Sequence, residues 1–207
     1  MPFASANPSV VRSVVQRDLL NGWLRGRGKP GVLPAIQDYR PEAMAGELAE
    51  MMRFDVIGEV GNARFLITQE GSRLAAAYGN QHIDPDQRTN RFLDDAIGPA
   101  LYARVVPFYR ACLARKRPIY SISMVPDPHG KEVCYERLLL PFGGAGHVTQ
   151  ILGSYKAISI EGRFEITNLM GIRSSATPVT VVEAVIDLDF VPAASAMSAR
   201  DDVIELS

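Results

Sequence analysis

An acid and a base stand side by side in residues 135–142, and this pair is the most chemically suggestive feature of the chain. The segment reads Tyr-Glu-Arg-Leu-Leu-Leu-Pro-Phe and precedes the glycine-rich turn at 143–146. Because successive strand residues point to opposite faces of a sheet, Glu136 and Arg137 cannot lie on the same side. At least one of the two charges should therefore be covered by core or by ligand, and a covered charge needs a partner.

Arg137 is the sharpest candidate for a binding residue. If its side chain points into a pocket, the rigid fork of the guanidinium suits a carboxylate or a phosphate. The preferred interpretation, however, is a structural ion pair with Asp38, Asp55 or Glu59. Both faces of this strand are apolar, which predicts a helix layer on one side and the N-terminal helix or a partner on the other. The Arg137 face also carries Val133, Tyr135 and Leu139, and the other face carries Cys134, Glu136, Leu138 and Leu140.

Two tyrosines can line the same cavity as Arg137. Tyr109 and Tyr135 each offer a ring and one hydroxyl, although aromatic residues at such positions also fill cores. Cys112 follows Tyr109 on the same predicted helix and reads as a small buried hydrophobe. The candidate ligand-binding residues are therefore Tyr109, Cys112, Tyr135 and Arg137.

No catalytic or metal-binding constellation is recognisable. His82, His129 and His147 fall in predicted loops far apart in sequence, which disfavours a metal site. Residues 26–31 match G-x-G-x-x-G, but they follow a helix and contain a proline, so a basic linker loop is the better interpretation. The run Arg25, Arg27 and Lys29 leaves docking of an acidic partner open as an alternative. We predict no cofactor and no enzyme activity.

Composition excludes several classes of protein. With 207 residues and 47% hydrophobic content, the chain can bury one good core. A net charge of -1 disfavours a nucleic-acid partner. Neither a signal peptide nor a membrane span is indicated. The two cysteines, Cys112 and Cys134, are too few for a disulfide scaffold, so a cytoplasmic location is expected.

The periodicity predicts an α+β fold. An amphipathic helix should run to about Leu24, with an apolar stripe at every fourth residue from Val11 to Trp23. The order of the remaining elements, two strands, several helices and three strands, predicts a five-stranded antiparallel sheet with helices on one face. The predicted strands are 53–60, 63–69, 119–125, 133–141 and 148–159, and the predicted helices are 42–51, 72–78, 91–96 and 99–116.

The chain divides into three predicted parts. Residues 1–25 form the N-terminal helix, residues 26–160 form the sheet domain, and residues 161–207 form a C-terminal extension. Within that extension, residues 163–169 and 179–190 look strand-like, although 179–186 can equally be helical. The small and polar end is expected to be disordered.

A family likeness is carried by the predicted order of elements and by short stretches of sequence. These residues are Trp23 to Gly26, Pro34, Asp38, Pro41, Arg64-Phe65, Gly79, Tyr109, Pro118 and Glu136 to Pro141. Together they resemble the PAS sensory domain, and more narrowly a PAS-like family of short stand-alone bacterial proteins. The likeness covers about residues 18–159. Two departures stand out: Gly71-Ser72 replaces the Gly-Thr pair usual in the family, and the expected Thr-Gly is missing from residues 81–84.

The resemblance implies a sensory or regulatory module that binds a small organic ligand and signals through dimers or a partner protein. The N-terminal helix is the expected dimer contact. A haem-type relative would need a histidine on the helix that begins at Pro99, which has none. A flavin photosensor would need a characteristic polar motif, which the surroundings of Cys112 do not match. Two alternatives stay open: an interaction module with a filled core, and a cone-shaped isomerase or hydratase.

Overall fold

The computed structural model describes residues 3–27, 32–41, 44–144, 146–170 and 178–187. No helix among these residues is both long enough and apolar enough to cross a bilayer.

The eight strands of the described residues form one sheet. They are β1 (Ala4–Ala6), β2 (Met51–Ile57), β3 (Arg64–Glu70), β4 (Arg91–Phe92), β5 (Ile119–Pro126), β6 (Glu132–Gly143), β7 (Val148–Ile158) and β8 (Val179–Ile186). Their order across the sheet is β1-β8-β5-β6-β7-β2-β3-β4. All neighbours are antiparallel except β1 and β8, which run parallel, so the sheet is mixed.

The predicted five-stranded antiparallel sheet is therefore wrong as a fold class. Strands β2, β3, β5, β6 and β7 correspond to the five predicted strands, and they are contiguous in the sheet. Strand β8 comes from the predicted C-terminal extension and pairs with β5, whose backbone groups would otherwise form an open edge. Strands β1 and β4 are only three and two residues long, which is too short for a strand pattern to show.

Helices cover both faces of the sheet. The N-terminal helix takes the second face, which is one of the two occupants predicted from the apolar faces of the strand at 133–141. The helices are α1 (Val14–Gly26), α2 (Met44–Glu47), α3 (Ser72–Ala77), α4 (Pro85–Arg88) and α5 (Leu93–Arg115), with 3-10 turns at Pro8–Val10, Ile36–Asp38 and Leu48–Glu50. Helix α5 packs on one face and α1 on the other, because both faces of β6 are apolar.

Two separate hydrophobic cores result. The core on the α1 side contains Leu19, Leu20 and Trp23 of the helix and Leu138, Leu140 and Phe142 of β6. The larger core on the α5 side contains Phe108, Tyr109 and Cys112 of the helix and Val133, Tyr135 and Leu139 of β6. The alternation along β6 therefore confirms the predicted division of its residues between the two faces. Each fully buried Leu or Phe side chain contributes roughly 1.5–3 kcal/mol to folding.

Helix α1 begins later than the sequence pattern predicts. Asn7 caps a 3-10 turn, and the α-helix starts after Ser13, whose side chain accepts a hydrogen bond from the Gln16 N–H. Trp23 anchors the other end by donating its indole N–H to the Pro141 carbonyl at 2.6 Å. The apolar stripe of α1 thus packs on the chain's own sheet.

Helix α5 is broken near its start. Gly98 has φ +74° and interrupts the helix immediately before Pro99, which opens the longer part as predicted. Pro107 lies inside this longer part, where the backbone dihedral angles stay helical. This long part brings Phe108, Tyr109 and Cys112 over β6.

The hairpin between β2 and β3 and the segment after β7 also differ from expectation. The predicted strands 53–60 and 63–69 leave only a two-residue turn at Gly61-Asn62, but β2 and β3 are joined by residues 58–63. Residues 163–169 form no strand; instead, Asn168 and Met170 donate backbone hydrogen bonds to the last turn of α3. Residues 188–190 of the second strand-like stretch, and the end expected to be disordered, lie outside the described residues.

Candidate functional site

Strand β6 buries both members of the charged pair, one on each face of the sheet. Glu136 is 3% exposed and Arg137 is 5% exposed. Glu136 lies on the face covered by α1, and Arg137 lies on the face covered by α5. Two buried charges on adjacent residues are costly unless each is compensated locally. Their surroundings differ in this respect.

Glu136 is held by a tyrosine on its own face. The Tyr120 hydroxyl donates to Glu136 Oε2 at 2.9 Å. The same hydroxyl oxygen accepts a hydrogen bond from the Arg12 backbone N–H at 3.2 Å. These contacts connect the segment before α1 to the sheet. The carboxylate is thus part of a hydrogen-bonded structural contact.

Arg137 has no comparable partner. Its Nε atom is buried without a hydrogen-bond acceptor, and no carboxylate of the described residues lies within ion-pair distance of the guanidinium. The guanidinium carbon lies 4.7 Å from the centre of the Phe108 ring. This cation–π contact is worth about 0.5–2 kcal/mol, less than the cost of burying an unpaired charge.

The predicted structural ion pair is therefore not formed. Asp55 accepts a hydrogen bond from Gln150 Nε2 at 2.7 Å. Asp38 is exposed in a 3-10 turn beside α1, and Glu59 is exposed in the loop between β2 and β3. None of these three carboxylates compensates the charge of Arg137.

Four tyrosines surround the guanidinium and form what we call the tyrosine cluster: Tyr78, Tyr109, Tyr135 and Tyr155. They come from four places in the chain, since Tyr78 ends α3, Tyr109 lies on α5, Tyr135 on β6 and Tyr155 on β7. The Tyr109 and Tyr155 hydroxyl oxygens are 2.7 Å apart and share a hydrogen bond. The sheet and two helices thus converge on Arg137.

The hydroxyl of Tyr135 is left without a hydrogen bond. Its oxygen is buried and has no partner among the described residues. The hydroxyls of Tyr78 and Tyr135 lie close enough for a weak contact that shifts the pKa of both, but the pair does not reach hydrogen-bond geometry. The cluster therefore contains one donor from Arg137 and one from Tyr135 that are both unused.

The electrostatics of the cluster are those of a single fixed cation among neutral hydroxyls. Burial raises the pKa of each of the four tyrosines, against a smaller lowering by the nearby charge of Arg137. Burial lowers the pKa of Arg137, but the negative charges that the four tyrosines acquire on ionising raise it by more, so the net shift is upward. All of these groups keep their charge state at neutral pH, so the arrangement suits binding of an anion better than proton transfer.

Cys112 lies in the same core but plays a different part. Its thiol is buried, and its Sγ is 3.9 Å from the Leu139 carbonyl oxygen. Burial raises the pKa of this thiol, so the reactive thiolate is disfavoured. The structure thus brings Tyr109, Tyr135 and Arg137 together, with Cys112 packed beside them as a hydrophobe.

A surface cleft of about 350 Å³ includes Tyr78 in its lining, but not Arg137 or the other three tyrosines of the cluster. Tyr78 is partly buried and is the residue shared by the cleft and the tyrosine cluster. Amide and imidazole groups line one side of the cleft, and Ala96, Ile97 and Leu101 line the other. The polar lining residues are Asn80, Gln81, His82, Thr167 and Asn168.

Sequence reasoning missed Tyr78, Tyr155 and Phe108. Tyr155 was detectable in principle, because β6 and β7 pair as a hairpin and Tyr155 stands directly opposite Arg137. Phe108 precedes Tyr109 on the long helix and was assigned only to its apolar face. Tyr78 carried no signal beyond the glycine that follows it.

The described part of the structure indicates no functional role for the remaining sequence motifs. Part of the G-x-G-x-x-G match, including Lys29, lies outside the described residues. The three histidines lie apart, and His129 is 3.4 Å from Glu165. Within the described ranges, no group of three His, Cys, Asp or Glu side chains is placed to hold a metal ion.

Comparison of the chain with protein-family models, with curated proteins and with solved structures gave no match.

Proposed function

We propose that this protein is a cytoplasmic sensory or regulatory module that binds a small organic ligand between the sheet and helix α5. The observation that supports this proposal is the buried Arg137, which has an unused Nε donor and no carboxylate partner among the described residues. A charge in this setting destabilises the ligand-free fold, and a bound ligand that compensates it recovers that free energy. The resemblance to PAS-like sensory proteins remains a prediction that points the same way.

The cleft at Tyr78 is the proposed route to the site. It has about 350 Å³, within the range of small-molecule sites. A ligand that passes Tyr78 meets the aromatic rings first and the guanidinium behind them. No residue of the cluster is poised for acid–base or nucleophilic chemistry, so we propose binding without catalysis.

Signalling through a dimer or through a partner protein also remains a prediction. The apolar stripe of α1 is already covered by the sheet, so a dimer formed by this helix would have to use its exposed side, where Val14 is 63% exposed. The free state of Cys112 and Cys134 is consistent with the proposed cytoplasmic location.

The alternative of an interaction module with a filled core is favoured by one observation. The Tyr109 ring packs edge-on against Phe54, with centroids 5.1 Å apart, and lies 4.9 Å from Phe65. A ligand must displace some of these contacts, whereas an interaction module would keep them.

A ligand screen separates the two candidates. Protein freed of bound molecules by unfolding and refolding is screened by thermal shift against neutral, anionic and cationic compounds. A ligand present at a hundredfold excess over its Kd stabilises the folded protein by about 2.7 kcal/mol. For a chain of this size, each kcal/mol of stabilisation raises the Tm by about 2–4 °C. Amide chemical-shift changes in α5 and β6 would place the ligand. The absence of any ligand-specific shift, or changes confined to the α1 face, would refute the proposal.

A further inference from the structure

We infer that the ligand of this site is a small monocarboxylate with an apolar body, whose carboxylate is held by Arg137 and the Tyr135 hydroxyl. This inference rests on the proposed function and names the chemical class of its ligand. Three features of the site lead to it: the sign of the uncompensated charge, the number of cations, and the nature of the surrounding side chains.

The charge of the site calls for an anion. Arg137 is 5% exposed and cannot shed its proton at any physiological pH. The guanidinium carbon lies 4.7 Å from the centre of the Phe108 ring, and this contact supplies no oxygen acceptor for the guanidinium N–H donors. Nε is one of these donors and has no acceptor. A planar carboxylate is the anion that matches two in-plane donors of a guanidinium.

A second unused donor fixes the position of the anion. Tyr135 lies two residues before Arg137 on the same face of β6, and its buried hydroxyl has no partner within the described part of the chain. A carboxylate oxygen bound by Arg137 can also accept a hydrogen bond from this hydroxyl. The other tyrosine pair, Tyr109 and Tyr155, satisfies itself through a shared hydrogen bond.

The number of cations favours a carboxylate over a phosphate. Arg137 is the basic side chain among the main influences on the pKa values of Tyr109, Tyr135 and Tyr155. One positive charge neutralises a monoanion. A phosphate monoester carries nearly two negative charges at pH 7 and would leave one of them buried without compensation.

The side chains around the cluster favour an apolar ligand body. Phe54, Phe65 and Leu139 belong to the same core as Arg137, and all three are fully buried. Ile97 and Leu101 extend this apolar surface to the cleft. An aromatic acid that binds the guanidinium through its carboxylate displaces part of the packing of Tyr109 on Phe54 and Phe65 and substitutes its own ring.

Isothermal titration with matched probes tests the inference. The probes are benzoate, hexanoate and acetate as monocarboxylates, benzamide as the neutral isostere of benzoate, and phenyl phosphate as the dianion. We expect benzoate or hexanoate to bind, with benzamide and phenyl phosphate at least about tenfold weaker, since one charged hydrogen bond is worth about 1.5–3 kcal/mol and 1.4 kcal/mol is tenfold.

Two variants and one control locate the carboxylate. Arg137→Gln should weaken benzoate binding at least about a hundredfold and abolish the preference over benzamide, because two charged hydrogen bonds are lost. Tyr135→Phe should weaken it about tenfold and keeps the test valid if Arg137→Gln does not fold. Arg104→Gln removes an exposed arginine of α5 and should leave the affinity unchanged.

The outcomes separate this inference from the function on which it rests. If a neutral compound binds at α5 and β6 while no monocarboxylate does, or if phenyl phosphate binds as well as benzoate, the ligand class is wrong and the binding function stands. Equal benzoate affinity in wild type and Tyr135→Phe would also show that the Tyr135 hydroxyl does not donate a hydrogen bond to the carboxylate. If no compound of the screen binds, both proposals fail.

Discussion

The two faces of strand β6 carry adjacent buried charges in opposite circumstances. On the α1 side, Glu136 receives a hydrogen bond from Tyr120, whose oxygen is in turn bound by the Arg12 N–H. On the α5 side, the Arg137 Nε and the Tyr135 hydroxyl have no hydrogen-bond partner among the described residues. Tyr120 is hydrogen-bonded to Glu136, whereas Tyr109 and Tyr155 in the cluster around Arg137 are hydrogen-bonded to each other.

This difference distinguishes a structural polar contact from a binding site. A buried charge with complete hydrogen bonding contributes to the specificity of packing, and removal of its partner is destabilising. A buried charge without partners costs free energy in the ligand-free protein, and its removal should be stabilising. The comparison therefore predicts that equivalent substitutions change the free energy of unfolding in opposite directions on the two faces.

The largest effect is expected from Arg137→Met. Methionine is linear, apolar and close to arginine in length, so it fills the space without a charge. We expect the ligand-free variant to be more stable than wild type by about 1–4 kcal/mol, the gain seen when buried charges are replaced by apolar side chains. Urea unfolding of protein freed of bound molecules measures it.

The exposed Arg104→Met on the same helix is the matched control and should change stability by less than about 0.5 kcal/mol. A loss of more than 1 kcal/mol in Arg137→Met alone would mean that Arg137 is compensated within the fold, and the contrast between the two faces would disappear.

A smaller effect is expected from a matched pair of hydroxyl deletions. Tyr120→Phe leaves the buried Glu136 without its donor and should cost about 1–3 kcal/mol. Tyr135→Phe removes a hydroxyl that has no partner, so its stability should stay within about 0.5 kcal/mol of wild type or rise. Chemical denaturation of both variants gives the comparison, and equal losses in the two would contradict it.

The smallest effect concerns Glu70, a buried charge that has a cation nearby but no hydrogen bond to it. Its carboxylate is 2% exposed, and its Oε2 lies 3.8 Å from Arg91 Nη2 without a hydrogen bond. Burial raises the pKa of Glu70 above its ordinary value, despite the lowering by Arg91 and Arg88. A raised carboxyl pKa contributes stability that is present below the unfolded pKa and is lost as pH rises through the folded pKa.

Glu70→Gln should remove this part of the pH dependence. As the pH rises from 4 to 7, we expect the free energy of unfolding of wild type to fall relative to that of the variant. Denaturant unfolding at several pH values measures the difference. A constant difference across this range would show that Glu70 ionises with the same pKa in the folded and unfolded states.

Sequence reasoning succeeded where a pattern repeats along an element. The alternation in β6 assigned Arg137 and Glu136 to the correct faces, and the strand-like runs identified the five contiguous strands β2, β3, β5, β6 and β7. It failed where pairing is decided by distant contacts. Strand β8 is held by β5 across the sheet, and its local sequence fits a helix equally well.

The candidate site was predictable only in part, for the same reason. Tyr109, Tyr135 and Arg137 were identified from their own elements, but Tyr78 and Tyr155 reach the cluster through tertiary packing of α3 and β7. The preferred ion pair of Arg137 was wrong because charge complementarity in a sequence does not reveal which face each carboxylate occupies. Asp38, for example, lies in the turn beside α1.

The most direct test of the central claim is the NMR signal of the Arg137 Nε–H group, assigned by its loss in Arg137→Met. Titration with benzoate should move this resonance in a saturable way, because a carboxylate becomes its first acceptor, while benzamide should leave it unchanged. If benzoate and the other monocarboxylates bind without moving this resonance, or if none of them binds, Arg137 is not the anion site that its burial and missing partner indicate.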